Sequence, residues 1–217
     1  MRGRSIVCLH GLRRSPADWD GVIAEMPSSW AHYAPALPPD PALALQVADG
    51  SIADGDVVFA HSMGAVIALR LLEARPRDVA ALVLTGSFFP PARNGRSLRS
   101  TTRDYLAHRV AYLHAARRRP TDTQSAGTRR ALASLVRQAM RPRGGPPEWL
   151  GRPIPVLVVH AGDDHHVPVD FAIAAAARHP SWTRGVFDTG GHHLHVSRSA
   201  EWLARVSPWL DDVLADD

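Results

Sequence analysis

The stretch Ala60-His61-Ser62-Met63-Gly64-Ala65 joins the apolar run Asp56-Val-Val-Phe-Ala60 to a long apolar segment, Met63 to Ala74. A continuous β-branched and aromatic run fits a strand buried on both faces, as in a parallel sheet. The segment after it is apolar on most sides, which suits a helix tucked against that sheet. A serine on a sharp strand-to-helix turn projects its hydroxyl above the sheet edge. Small neighbours (Ala60, Gly64, Ala65) let backbones approach around such a turn. The backbone N–H of Met63, at the positive end of the following helix, points where an oxyanion would form. The usual form of this turn is Gly-x-Ser-x-Gly, and here Ala60 replaces the first glycine.

Outward from the serine, the same rhythm repeats. Ser5-Ile-Val-Cys-Leu9 ends at His10-Gly11, Val79-Ala-Ala-Leu-Val-Leu84 at Thr85-Gly86-Ser87, and Pro155-Val-Leu-Val-Val-His160 at Ala161-Gly162. His32 to Leu37 and Thr183 to Phe187 are weaker strand candidates. Helical spacing predicts helices over Pro16 to Met26, with Ser15 as N-cap and Pro16 at the first position, and over Met63 to Ala74, Val169 to Arg178 and Ala200 to Leu214. Strands alternating with helices predict a three-layer α/β domain spanning 1–217. The segment of about 90–151 breaks the rhythm. It opens with Pro90-Pro91, closes with Arg141-Pro-Arg-Gly-Gly-Pro-Pro147 and holds no strand-like run. Two amphipathic helices, about Thr102 to Ala116 and Thr128 to Met140, make it a helical insertion.

Composition bounds the remaining classes. The chain has 217 residues, 45% apolar and 21% charged, which fits one globular domain with a sizeable core. The single cysteine, Cys8, excludes an internal disulfide and is read as a small core residue in a reducing compartment. No run approaches the roughly 20 apolar residues of a membrane span, and Ile6 to Leu9 is too short for a signal peptide. A soluble, cytoplasmic protein without membrane contact is expected. The net charge of +4 hides an asymmetry. Residues 91–152 carry 14 Arg and three acids, +11, while the remainder carries 11 Arg and 18 acids, −7. All the basic residues are arginine. Arg117-Arg118-Arg119 could suggest nucleic acid, but no aromatic-interleaved stripe or recognition helix accompanies the charge, so no nucleic-acid partner is expected.

Two late loops carry titratable groups. Gly162-Asp163-Asp164-His165-His166-Val167-Pro168 offers a carboxylate at a strand end, from either Asp. Thr189-Gly190-Gly191-His192-His193-Leu194-His195 offers an imidazole base that could bond both a serine and an Asp. Leu9-His10-Gly11-Leu12, one strand before the serine, can supply a second oxyanion donor, the N–H of Leu12. His165, His166, His192, His193 and His195 match zinc ligands in type. No Cys or His-Glu-x-x-His helix supports a metal, and neither metal nor cofactor is expected.

The order Ser62, then Asp163 or Asp164, then His192 is that of the α/β-hydrolase fold. The chain resembles the α/β-hydrolase superfamily from about Ile6 to Leu214, with only the insertion loosely matched. Its Leu-His-Gly opening, Ser-Met-Gly turn and Gly-His ending look like the small serine esterase and thioesterase-like branch. The resemblance implies a mostly parallel sheet of about six strands, with the chain starting on what would be the family's third strand and the insertion acting as a cap. It also picks Asp164, four residues before Pro168, with Asp163 as the alternative acid, and His192, directly after a glycine. The implied activity is hydrolysis of an ester or thioester of a small acyl substrate by Ser62, His192 and Asp164, with Met63 and Leu12 as oxyanion donors. Ser62 disfavours the epoxide and haloalkane hydrolases, which place Asp there. An Arg-rich cap could recruit acyl-CoA, an acyl carrier protein or a carboxylate-bearing substrate. The alternative class is a non-hydrolytic member of the fold, a ligand-binding receptor or a cofactor-free lyase or peroxidase.

Overall fold

Each apolar run forms a strand, and all the strands lie parallel. A computed structural model describes residues 5–74, 79–87, 154–179 and 181–215. Strands β1 (Ser5–Leu9), β2 (Ala31–Tyr33), β3 (Val57–His61), β4 (Ala81–Thr85), β5 (Val156–Ala161) and β6 (Trp182–Phe187) form one sheet in the order β2-β1-β3-β4-β5-β6. Val57 faces Ala81 and Leu82 faces Val156, and every pair is parallel. The expected insertion at about 90–151 lies outside the described residues.

Alternation along each strand divides the core between two faces. Val7, Leu9, Val58, Ala60, Leu82, Leu84 and Val158 point to one side. There they meet helices α2 (Pro41–Ser51), α3 (Met63–Ala74) and α4 (Val169–Arg178). Ile6, Cys8, Val57, Phe59, Val83, Leu157 and Val159 point to the other. Against them pack Trp19 of the 3-10 turn Pro16–Trp19, Val22 of α1 (Asp20–Glu25), and Trp202, Leu203, Val206 and Leu210 of the last helix, Ser199–Ala215. This gives the expected three layers. Cys8 is fully buried in β1, and burial pushes its thiol pKa up, as suits a core residue.

One local expectation is corrected, and two further helices appear. The helix expected over Pro16 to Met26 is a 3-10 turn followed by a short α-helix, and Ser15, though extended, makes no side-chain cap bond. Helix α2 is additional: the Asp40 carboxylate accepts from the N–H groups of Ala42 and Leu43, and Pro41 takes the first helical position. A four-residue helix, α5 (Leu194–Ser197), precedes the last helix, α6 (Ser199–Ala215). Among the described residues no helix is long and apolar enough to cross a membrane.

Candidate active site

In an open parallel sheet, sites form beyond the C-terminal ends of the strands. The loops after β1, β3, β4, β5 and β6 converge there. Ser62, directly after β3, has a left-handed backbone conformation, φ 50°, which a non-glycine residue adopts at a cost of roughly 1–3 kcal/mol. The surroundings hold it. Its N–H donates to the Thr85 carbonyl at 3.1 Å, and its own carbonyl accepts from Val66 N–H of α3 at 3.3 Å. Gly64 is required because a Cβ there would run into the Leu9 carbonyl of β1. Gly11 lies as close on the other side, where a Cβ would stand 2.8 Å from His61 Nδ1 and 3.4 Å from Ser62 Cβ. The loop carrying Leu12 is thereby pressed against the serine turn.

The sequence-distant groups meet at hydrogen-bond distance. Ser62 Oγ lies 3.0 Å from His192 Nε2, and His192 Nδ1 lies 2.8 Å from Asp164 Oδ2. A carboxylate only accepts, so Nδ1 carries the proton and Nε2 is left to accept from the serine hydroxyl. The other oxygen of Asp164, Oδ1, accepts from the N–H groups of His166 and Val167 at 2.8 and 2.9 Å. Burial alone would raise the Asp164 carboxyl pKa. Hydrogen bonds from His160, His192 and the Val167 N–H outweigh it and hold the group well below the usual carboxylate range. Asp163 turns away and accepts from Gly191 N–H at 2.8 Å, which also lowers its pKa. Of the two aspartates, Asp164 contacts His192 and Asp163 braces the loop that presents it.

Histidines fill the space behind the site. His61 Nε2–H donates to the His192 carbonyl at 2.8 Å, tying the last residue of β3 to the loop carrying His192. Gly86 makes room for both, since a Cβ there would lie 3.2 Å from His192 Nδ1 and 3.3 Å from His61 Nε2. The His61 ring lies within 4.4–5.1 Å of the His192, His193 and His195 rings, and His166 stacks on His192 at 4.7 Å. Burial lowers the pKa of His61, and the neighbouring His195, His192 and His193 lower it further. Burial, followed by neighbouring histidines, pushes His193 down to about 4 and His195 down to about 3. His10 is locked as well. Its Nε2 accepts from Leu37 N–H at 2.8 Å, so Nδ1–H donates to the Gly11 carbonyl at 2.8 Å, fixing the turn before Leu12. On a sequence, His10, His61 and His160 look like strand-end core residues, and no local pattern marks what they touch.

Two groups of possible metal ligands occur among the described residues. They are Asp18, His61 and His193, and Asp164, His166 and His192, each with ligand atoms within 4.8 Å of one another. In the first set Arg14 already binds both Asp18 oxygens at 2.6 Å. In the second, both Asp164 oxygens are taken. In both sets, then, the carboxylate is already engaged by other donors.

The comparisons agree with this architecture. The family model described as "Alpha/beta hydrolase family" matches residues 6–206, and the chain belongs to that family. The esterase RhEst1 from Rhodococcus sp. is 20% identical over 97% of this chain and 91% of its own, with a TM-score of 0.63. A meta-cleavage product hydrolase from Pseudomonas fluorescens is 14% identical, covers 97% and 92%, and has a TM-score of 0.69. A thermophilic esterase from Thermogutta terrifontis is 17% identical, covers 97% and 90%, and has a TM-score of 0.67. At these identities the likeness is one of fold. Comparison with curated proteins finds no match.

Proposed function

We propose that the protein is a serine hydrolase that cleaves a carboxylic ester of a small molecule through an acyl-enzyme. The observation that carries this reading is the unbroken chain Ser62 Oγ, His192, Asp164, at 3.0 and 2.8 Å, on a serine held at φ 50°. Esterases among the structural neighbours support it. His192 Nε2 takes the Ser62 proton as Oγ attacks the acyl carbon, and Asp164 orients and stabilises the imidazolium. The N–H groups of Met63 and Leu12 bind the oxyanion, each such donor being worth about 3 kcal/mol of barrier. His192 then protonates the departing alcohol. Water, deprotonated by the same imidazole, releases the acid and restores the serine.

A p-nitrophenyl ester and a fluorophosphonate probe test the proposal. Turnover and labelling by the native protein are expected, and Ser62→Ala should abolish both while the fold persists. An unlabelled native serine would favour the receptor or lyase reading instead. A thioester substrate is the finer version, favoured by the 14 Arg of residues 91–152, which would attract an anionic carrier such as coenzyme A or an acyl carrier protein. In that case the KM for acyl-CoA rises with ionic strength. A salt-independent KM would remove the thioester argument and leave the ester reading in place.

A further inference from the structure

His160, near the end of β5, has no part in the three-residue chain described above, yet it touches that chain. Its Nε2 lies 2.8 Å from the Val167 carbonyl and 3.3 Å from Asp164 Oδ2. A carbonyl only accepts, so the ring proton sits on Nε2 and is shared between that carbonyl and the carboxylate. Nδ1 is buried without a hydrogen-bond partner among the described residues, so a second ring proton there would have no acceptor. The neutral Nε2–H form is the one these contacts satisfy. Both side chains are sealed from solvent, at 1% exposure for His160 and 0% for Asp164, where a hydrogen bond is felt strongly.

The contact falls on a particular oxygen. Oδ1 is fully occupied by the His166 and Val167 N–H groups, while Oδ2 is the oxygen that receives His192. His160 therefore competes with His192 for charge on one atom, and it pins the Val167 end of the loop that carries Asp164. We propose that His160 is a positioning residue for the Asp164–His192 pair: its Nε2–H holds the carboxylate in line and moderates its pull on the His192 proton. This rests on the hydrolase reading given above, since it assigns His160 a task in that reaction.

Removing the donor has a defined sign. Without His160, Oδ2 keeps more negative charge toward His192 Nδ1, and the imidazolium form of His192 is favoured. The base then stays protonated to higher pH. Among the described residues, the other titratable groups facing His192 are His166, His61 and His193, at ring separations of 4.7, 4.8 and 5.1 Å. Arg14 and Asp18 lie behind His193, and Asp163 sits on the Gly191 N–H. None of these residues is substituted in a His160 variant.

The experiment compares His160→Phe, which keeps a flat ring without the donor, with His160→Gln, which keeps an N–H. The acidic limb of kcat/KM against pH is expected to move up by about half to one pH unit in His160→Phe, with kcat falling about tenfold, and to return toward the native position in His160→Gln. A folded His160→Phe protein whose limb does not move would overturn the proposal, because a purely structural role lowers activity without moving it. Ring nitrogen NMR on the native protein keeps the question open to test if His160→Phe does not fold. There the expected result is a proton on His160 Nε2 across the active pH range, and a proton on Nδ1 would sink the idea. An inactive native protein would count against the hydrolase reading instead, and the NMR titration of His192 in native and His160→Phe proteins would still decide the role of His160.

Discussion

Asp163 and Asp164 are neighbours in sequence with different partners, and that difference is chemical. Asp164 is buried and takes four hydrogen-bond donors, one of them His192, while Asp163 accepts from the backbone of Gly191. Asp164→Asn should lower kcat by about 10⁴, because an amide in that place favours the wrong imidazole tautomer. Asp163→Asn keeps an oxygen for Gly191 N–H and should cost less than about tenfold. Steady-state kinetics on both variants check this, and equal losses would reverse the assignment. Ser62 and its small neighbours were legible in the sequence, because a left-handed turn is a local backbone demand. The residue types alone leave the two aspartates open, and only the family resemblance picks Asp164, since the partition depends on which side of the loop faces the chain's later histidine.

At the scale of elements, the strands were readable because burial on both faces requires unbroken apolar runs, and β1, β3, β4 and β5 lie within two residues of where those runs predict them. Helix α2 is hard to read from sequence although Asp40-Pro41 carries its start signal, since its alanines and polar residues make a weak stripe. Packing between elements yields a prediction of its own. Helix α3 approaches β1 so closely that a methyl at Gly64 would collide with the Leu9 backbone, and backbone cannot rotate away as a side chain can. Gly64→Ala should therefore destabilise the fold by about 1–3 kcal/mol and displace the serine turn. Chemical denaturation with parallel activity measurements would show it, and an unchanged midpoint would contradict the tight contact. Trp202 of α6, fully buried and donating from Nε1 to Thr85 Oγ1 at 3.0 Å, anchors the far layer. Trp202→Ala should cost about 3–5 kcal/mol by the same measurement.

At the scale of the whole molecule, His61, His192, His193 and His195 gather beside the serine. His193 and His195, held at about 4 and about 3, are neutral in the folded state at pH values where an unfolded histidine, near 6.5, takes up a proton. Between pH 6.5 and about 4 the unfolded chain thus binds more protons than the native one. Stability should fall with acidification, with a slope approaching about 1.4 kcal/mol per pH unit for the buried His195 and a smaller one for the partly exposed, solvent-screened His193. Asp164 works in a different window, because its depressed carboxyl pKa adds stability that is lost only below the ordinary carboxylate range. Thermal melts from pH 7 to 4.5 should show a steady drop, and a flat profile would mean that the cluster is solvated. His195→Phe should flatten part of that slope.

The sequence by itself determined the parallel sheet, the serine turn and the family, because each depends on residue type within a few positions: apolar runs, small residues around a strained backbone, a histidine after glycine. The charge asymmetry, +11 against −7, is also a property of the sequence alone. Only the tertiary structure decided that Asp163 braces the loop carrying His192, that His10 and His61 brace the loops around the serine, and that His160 shares the Asp164 oxygen with His192. Those relations join residues as far apart as Ser62 and His192. They are set by where a buried donor can find an acceptor, and chain order does not record that.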